Sequence, residues 1–294
     1  IVARLDAVGN TTKALTKGFA IASAVIAAIA LFRSFVGEAR LFATAEQIAA
    51  AAGGVADAFN HIGIQVNVPE VFIGLLIGGA VPFLVSAFLI RAVGRSAFMV
   101  VEEVRRQFRE IPGIMTGKGR PDYSRCVDIV TIAAQKELLS PALLSIAAPV
   151  LVGFWLGAAA LGGYLAGAIL TAQMLAVFMA NTGGAWDNAK KKIEDGFLGG
   201  KGTPAHKAAV IGDTVGDPLK DTAGPALNPL IKVMNLVAIL IAPIVIQPLG
   251  AGVRGTVVVA SLLTIIIAAA LSKRRSITAI AGAEAPAAVP AGGE

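Results

Sequence analysis

The chain has 294 residues, of which 56% are hydrophobic and 15% are charged, and its mean hydropathy is +0.75. These values exclude an ordinary soluble globular domain and indicate a membrane protein with several spanning helices. The net charge is +6, but the chain has no nucleic-acid-binding motif, so no nucleic-acid partner is predicted. The single cysteine, Cys126, excludes an internal disulfide framework.

Six apolar runs follow one another along the chain, and each is long enough for a membrane helix. They lie at residues 1–36, 71–90, 127–156, 158–180, 205–246 and 255–271. They predict an all-α, polytopic bundle over residues 1–272, with a short amphipathic turn expected at 43–59. The tail at 273–294 is rich in Ala, Pro and Gly and is predicted to be disordered. Because the chain starts at Ile1 without a signal peptide, we expect it to be the C-terminal part of a longer protein.

Basic residues cluster in three connecting regions, at 91–125, 190–207 and 273–275, which alternation of the six spans places on one side of the bilayer. The positive-inside rule assigns that side to the cytoplasm. We therefore expect an integral membrane protein, in a bacterial plasma membrane, whose polar helix ends face the cytoplasm. The tail would lie on the same side.

A stripe of carboxylates precedes the fifth apolar run. Asp213, Asp217 and Asp221 recur every four residues, so on an α-helix they share one face, which Asn228 and Lys232 continue. Carboxylates at the mouth of a membrane helix are costly unless a cation binds there, and Mg²⁺ carrying phosphate suits them. Lys220 lies among them and suits the phosphate. The alternative is a solvated helix end with scattered charge.

A second polar group follows the fourth apolar run. Asp187, Lys190, Lys191 and Glu194 have helical spacing that puts them on one face. Converging carboxylates and lysines suit a polyphosphate, because metal ions neutralise it, ammonium groups hold its oxygens and a spare carboxylate activates water. A secondary ion transporter without hydrolysis stays open, since Pro218 would suit a broken helix that lines a cavity. A purely structural subunit would leave the charges unexplained.

Lys232 lies about 16 Å deeper than Asp221, at ~1.5 Å of rise per residue. An ionisable side chain at that depth marks an ion pathway by default. The alternative, a lysine that snorkels to the surface, is less consistent with the apolar chain beyond it. Phosphate chemistry at the surface above a buried charge suggests a pump driven by hydrolysis.

Two long motifs carry a family resemblance: residues 183–191 (GGAWDNAKK) and 201–222 (KGTPAHKAAVIGDTVGDPLKDT). Together with residues 9–14 (GNTTKA) and 102–113, they closely resemble the membrane-integral, ion-pumping pyrophosphatases. The resemblance covers residues 1 to about 246. It implies a homodimer of all-helical subunits in the lipid bilayer, with this chain as the C-terminal part of one subunit. It implies hydrolysis of Mg²⁺-bound pyrophosphate to two phosphates, coupled to export of H⁺ from the cytoplasm.

The resemblance also implies roles for individual residues. Asp221 resembles the carboxylate that activates the attacking water, and Asp213 lies close to it. Lys232 resembles the lysine of the ion gate. The residues that look like Mg²⁺ ligands are Asp187, Asp217, Asp221 and Asn10, and those that look like pyrophosphate ligands are Lys190 and Lys220.

Lys13, with Thr16, stands where potassium-dependent members of that family have alanine and a small residue. A fixed ammonium there would replace bound K⁺, so the enzyme is expected to be potassium-independent and to pump H⁺ rather than Na⁺. The alternatives are an exposed helix-end lysine and a sodium pump. The family's aspartate-rich Mg²⁺ motif and gate glutamate belong to earlier helices. The chain is therefore expected to hold only part of the active site and to be inactive alone.

Overall fold

The structure, a computed structural model, describes residues 2–42 and 64–273, and within these ranges it is helical without strands. The predicted all-α class is thus confirmed. The eight α-helices of the described ranges are α1 (Val2–Phe42), α2 (Pro69–Glu110), α3 (Tyr123–Glu137), α4 (Leu139–Leu156), α5 (Ala158–Glu194), α6 (Pro204–Asp217), α7 (Gly224–Ile246) and α8 (Ala251–Lys273). The predicted turn at 43–59 and the tail beyond Lys273 lie outside the described residues.

Six helical segments of the described ranges are long and apolar enough to cross a membrane, as predicted. They are Leu15–Ala39, Pro69–Glu110, Tyr123–Leu156, Ala158–Glu194, Pro204–Ile246 and Ala251–Lys273. Since each carries an apolar stretch of at least membrane length, the chain is part of an integral membrane protein.

The charged segment after the second span is helical as far as Glu110. Helix α2 continues through it to Glu110, supported by ion pairs from Arg106 to Glu103 at 2.7 Å and to Glu110 at 2.5 Å. Gln107 is buried and bonds both the backbone nitrogen and the backbone oxygen of Asp122 at 2.9 Å. The segment is therefore helical, and hydrogen bonds from Gln107 hold the following chain at Asp122 against this helix.

The predicted third span is interrupted near its N-terminal end. Helix α3 ends at Glu137 and α4 begins at Leu139, with Leu138 between them. Pro141 explains the interruption, because a proline ring conflicts with the carbonyl of the residue four positions earlier, which is Glu137. The predicted span over 127–156 is thus one candidate membrane span, Tyr123–Leu156, that consists of two helices in series.

Helix α5 is the centre of the bundle and packs directly on the backbone of α2. A methyl group on Gly78 would lie 1.9 Å from the carbonyl oxygen of Tyr164, and one on Gly163 would lie 2.3 Å from that of Val71. Small residues permit such close contact between membrane helices. Around this contact lie fully buried side chains, among them Tyr164, Leu161 and Leu165.

The predicted organising helix at 205–246 is continuous but not uniform. A π-helical turn, Pro218–Ala223, separates α6 from α7. A π turn holds more residues than an α turn, so residues before and after it no longer keep a spacing of four on one face. Asp213 and Asp217 precede this turn and Asp221 lies within it, which gives the three carboxylates two different directions.

Candidate functional site

The site centres on the ammonium group of Lys220, which lies among three carboxylates. Its Nζ is 2.6 Å from Oδ2 of Asp187, 2.7 Å from Oδ1 of Asp217 and 3.2 Å from Oδ1 of Asp213. Lys220 is 5% exposed, and Asp187 and Asp213 are also buried. Buried charges need partners of opposite sign, and here each charge has at least one.

A close contact between α5 and α6 brings these residues together. A methyl group on Gly183 would lie 2.5 Å from the carbonyl oxygen of Gly216 and 2.7 Å from Cβ of Lys220. The two backbones therefore touch one helical turn from Asp187, so that its carboxylate faces those of Asp213 and Asp217 across the helix interface. The two aspartates of α6 share a face because they are four residues apart.

Two further lysines line the edge of this cluster. Lys190 is paired with Oδ2 of Asp213, and Nζ of Lys191 lies 3.3 Å from Oδ1 of Asp187. Lys190 and Lys191 are partly exposed, whereas Lys220 is enclosed. The cluster thus combines three carboxylates with three ammonium groups at one end of the bundle, a composition suited to binding a metal–phosphate complex.

The three carboxylates are suited to a divalent metal ion. One oxygen each from Asp187, Asp213 and Asp217 lies within 4.8 Å of the others. Oxygens that share one Mg²⁺ lie at about 2.1 Å from it and hence at most about 4.2 Å apart. Small rotations of the aspartate side chains would bring their oxygens from up to 4.8 Å apart to this distance. Hard oxygen donors are what Mg²⁺ prefers, and the Lys220 ammonium shows that a cation is already accommodated there.

Asp221, predicted to activate water, is turned toward α1. Its Oδ1 accepts a hydrogen bond from Nζ of Lys17 at 2.7 Å, and the same ammonium donates to the backbone oxygen of Lys220 at 2.5 Å. Asp221 is not one of the three clustered carboxylates of the described residues. Sequence reasoning did not identify Lys17 as a site residue. Its position one helical turn after Lys13, just before a long apolar run, was the available signal.

Helix α1 also carries the remaining predicted residues of this end. Asn10 and Lys13 lie on α1, but their side chains are outside the described set. Thr16 is exposed and donates to the carbonyl of Thr12 at 2.8 Å. An open depression of about 410 Å³ runs along this face of α1, lined by Gly9, Thr12, Thr16, Lys17 and Ala20. The roles predicted for Asn10, Lys13 and Thr16 stay predictions.

Lys232 lies on α7, away from the cluster and deeper in the bundle. Its side chain is half-buried, and within the described residues it makes no ion pair or hydrogen bond. Its predicted depth in the membrane and its assignment as the gate stay predictions.

The fold and this site define a class: an integral membrane protein whose helix ends carry a lysine and carboxylate site suited to a metal-bound phosphate compound. Comparison with known proteins identifies the family, because residues 1–241 match the family described as inorganic H⁺ pyrophosphatase. The chain belongs to this family, as the sequence resemblance predicted.

Individual relatives agree with this assignment. The chain is 62% identical over 251 residues to a K(+)-insensitive pyrophosphate-energized proton pump of Chloroflexus aurantiacus. This alignment covers 85% of the chain and 32% of the relative. It is 54% identical over 288 residues to a protein of the same name from Streptomyces avermitilis, covering 94% and 35%. A putative K(+)-stimulated pyrophosphate-energized sodium pump of Clostridium tetani is 50% identical over 247 residues, covering 84% and 34%. The chain therefore spans about a third of the length of these relatives.

Proposed function

We propose that the chain is the C-terminal part of a membrane enzyme that hydrolyses Mg²⁺-pyrophosphate to two phosphates and moves H⁺ out of the cytoplasm without requiring K⁺. The observation that carries this proposal is the buried Lys220 ammonium held by Asp187, Asp213 and Asp217 at the end of membrane helices. Family membership and the names of the relatives in Chloroflexus and Streptomyces support the reaction.

Each charged side chain of the cluster has a role in this proposal. Asp187, Asp213 and Asp217 would hold Mg²⁺, which would neutralise the negative charge of pyrophosphate. Lys190 and Lys220 would turn from their carboxylate partners to the phosphate oxygens, since a lysine makes strong bonds to either anion. The internal ion pairs would thus hold the site in shape until substrate binds.

Asp221 would orient and deprotonate the attacking water, and it would contribute to metal binding together with Asn10. Oδ1 of Asp221 accepts a hydrogen bond from Lys17. Deprotonation of water by Asp221 therefore requires that this hydrogen bond lengthen or that Oδ2 accept the proton. Lys232 would control the ion path below, and Lys13 with Thr16 would replace K⁺. These assignments follow from the family resemblance.

Location and assembly are part of the same proposal. We place the protein in a bacterial plasma membrane with the cluster facing the cytoplasm, because the basic segments lie at the cluster's end of the spans. We also propose a homodimer. The isolated chain would be inactive, because residues from the rest of the subunit complete the site.

Hydrolysis by the full-length protein tests the proposal. Phosphate release from pyrophosphate should require Mg²⁺, proceed without K⁺ or Na⁺, and be absent from the isolated chain in lipid. A requirement for Na⁺ would select a sodium pump, for which the identity to the Clostridium protein gives some support. Absence of hydrolysis under all these conditions would favour a secondary transporter.

A further inference from the structure

Oδ1 of Asn235 is a buried acceptor without a hydrogen-bond partner among the described residues. Asn235 lies in the interior of α7 and is 1% exposed. Its amide nitrogen donates to the carbonyl of Ile231 at 2.8 Å. That bond determines which way the amide faces, because exchanging its nitrogen and oxygen would set two oxygens against each other.

An unpaired polar atom in this position is costly. A buried acceptor without a donor costs about 1–3 kcal/mol, and the bilayer interior offers no bulk water to supply one. A leucine of similar size would avoid the cost. Ser272 Oγ is the other unpaired buried atom of the described residues, but a hydroxyl near the end of a helix can rotate to a backbone carbonyl. The amide of Asn235 is held by its bond to Ile231 and cannot rotate in this way, so its oxygen needs a donor from another side chain.

Lys232 provides the complementary group. It precedes Asn235 by three residues on α7, it is half-buried, and its ammonium has no partner among the described side chains. Side chains three apart on a helix are neighbours, with Cβ atoms about 5–6 Å apart. The Lys232 side chain is therefore long enough to reach Oδ1 of Asn235 from the same helix, once the side chains that cover this buried oxygen move aside.

We propose that Oδ1 of Asn235 is a docking position for the ammonium of Lys232, so that Lys232 alternates between this inward position and an outward position facing the rest of the subunit. A neutral amide accepts from an ammonium without taking its proton, so the inward position keeps Lys232 charged and in place. Asn235 is a positioning residue that acts through Lys232. This inference rests on the proposed pump function, which makes Lys232 part of the ion path.

The first experiment compares transport with hydrolysis. Full-length protein carrying Asn235→Leu is placed in sealed vesicles, and phosphate release and proton uptake are measured together. We expect hydrolysis close to wild type and a fall of about fivefold or more in protons moved per pyrophosphate, the size of a typical coupling between sites. The control is Leu240→Ala on the same helix, an exposed apolar position about two turns beyond Lys232. It should leave the ratio unchanged.

The second experiment shows whether Lys232 is the partner. In a double-mutant cycle with Lys232→Met, the effect of Asn235→Leu should disappear, because the group that it positions is gone. Additive effects would overturn the proposal and indicate a bound water molecule on Asn235 instead. If Asn235→Leu does not fold, Asn235→Ser and Asn235→Ala replace it, since only serine keeps an acceptor, and serine should retain more coupling.

The outcomes separate this inference from the proposed function. A wild-type protein that hydrolyses and pumps, with an unchanged ratio in Asn235→Leu, would overturn the docking position and leave the function intact. A wild-type protein that hydrolyses no pyrophosphate would overturn both.

Discussion

Lys220 holds the site together, because its ammonium is the group that three carboxylates share. The spacing of Asp213, Asp217 and Lys220 could be predicted from the sequence, since all three lie within two helical turns. That Asp187 joins them depends on how α5 packs on α6, which spacing within one helix does not determine. The alternation of the spans predicts that the Asp187 group lies on the same membrane surface, and the family resemblance predicts that it belongs to the same site.

Replacing Lys220 by methionine should destabilise the substrate-free protein and abolish hydrolysis. Removing one partner of a buried ion pair costs about 3 kcal/mol or more, because the remaining charges are left uncompensated. We expect the thermal midpoint of Lys220→Met to fall and to be restored by added Mg²⁺, which would occupy the position of the ammonium. Lys207→Met, at an exposed position on α6, is the control. A midpoint that does not respond to Mg²⁺ would contradict the metal assignment.

Lys17 is the residue that sequence reasoning missed, since its position one turn after Lys13 does not show that it reaches the π turn between α6 and α7. Its ammonium bonds both the side chain of Asp221 and the backbone of Lys220. Lys17→Met should therefore lower kcat by about 100-fold, as expected for misplacing a general base, with little change in KM. Lys17→Arg should recover part of kcat. Steady-state kinetics of both variants test whether Lys17 positions Asp221. A rise in KM without a fall in kcat would contradict this role.

At the scale of elements, the π turn at Pro218–Ala223 has the largest effect on the site. The four-residue spacing predicts that Asp213, Asp217 and Asp221 share one face of a regular helix. The π turn instead directs Asp221 toward Lys17 and leaves the other two with Asp187. Such a turn has no firm sequence signal. Pro218 indicates a broken helix but not a π turn. The interruption at Leu138 likewise follows from Pro141 only once the helix path is known.

The contact of α5 with α6 can be tested at Gly183. In Gly183→Ala the new methyl group would lie 2.5 Å from the carbonyl oxygen of Gly216, so the helices must separate. We expect a loss of stability of about 1–3 kcal/mol and a larger loss of hydrolysis, because Asp187 moves away from Lys220. Gly212→Ala is the matched control on α6, since its methyl group would make an ordinary contact of 3.7 Å with Trp186. Equal effects of the two variants would show that the contact is not specific to the site.

At the scale of the whole molecule, the six spans could be predicted because each contains an apolar run of membrane length. What the runs do not show is how far a helix continues beyond the bilayer, since charged residues such as those from Glu102 to Glu110 suit a helix in water as well as a loop. The chain also spans only about a third of the length of its relatives, and we therefore propose that residues outside it complete the site.

Membrane orientation gives a test at this scale. In a full-length protein without other reactive cysteines, Lys118→Cys and Gly250→Cys place thiols at exposed positions on opposite ends of the spans. A maleimide that does not cross membranes should label residue 118 only from the cytoplasmic side and residue 250 only from the other side. Labelling in the reverse sense would place the Lys220 cluster outside the cell and exclude cytoplasmic pyrophosphate as its substrate.

The most direct test of the central claim is the internal pH of sealed vesicles that contain the full-length protein with its site facing outward. On addition of Mg²⁺ and pyrophosphate, without K⁺ or Na⁺, the interior should acidify in step with phosphate release, and Asp217→Asn should abolish both signals. Phosphate release without acidification, or acidification that survives Asp217→Asn, would contradict a proton pump driven by hydrolysis at the Lys220 cluster.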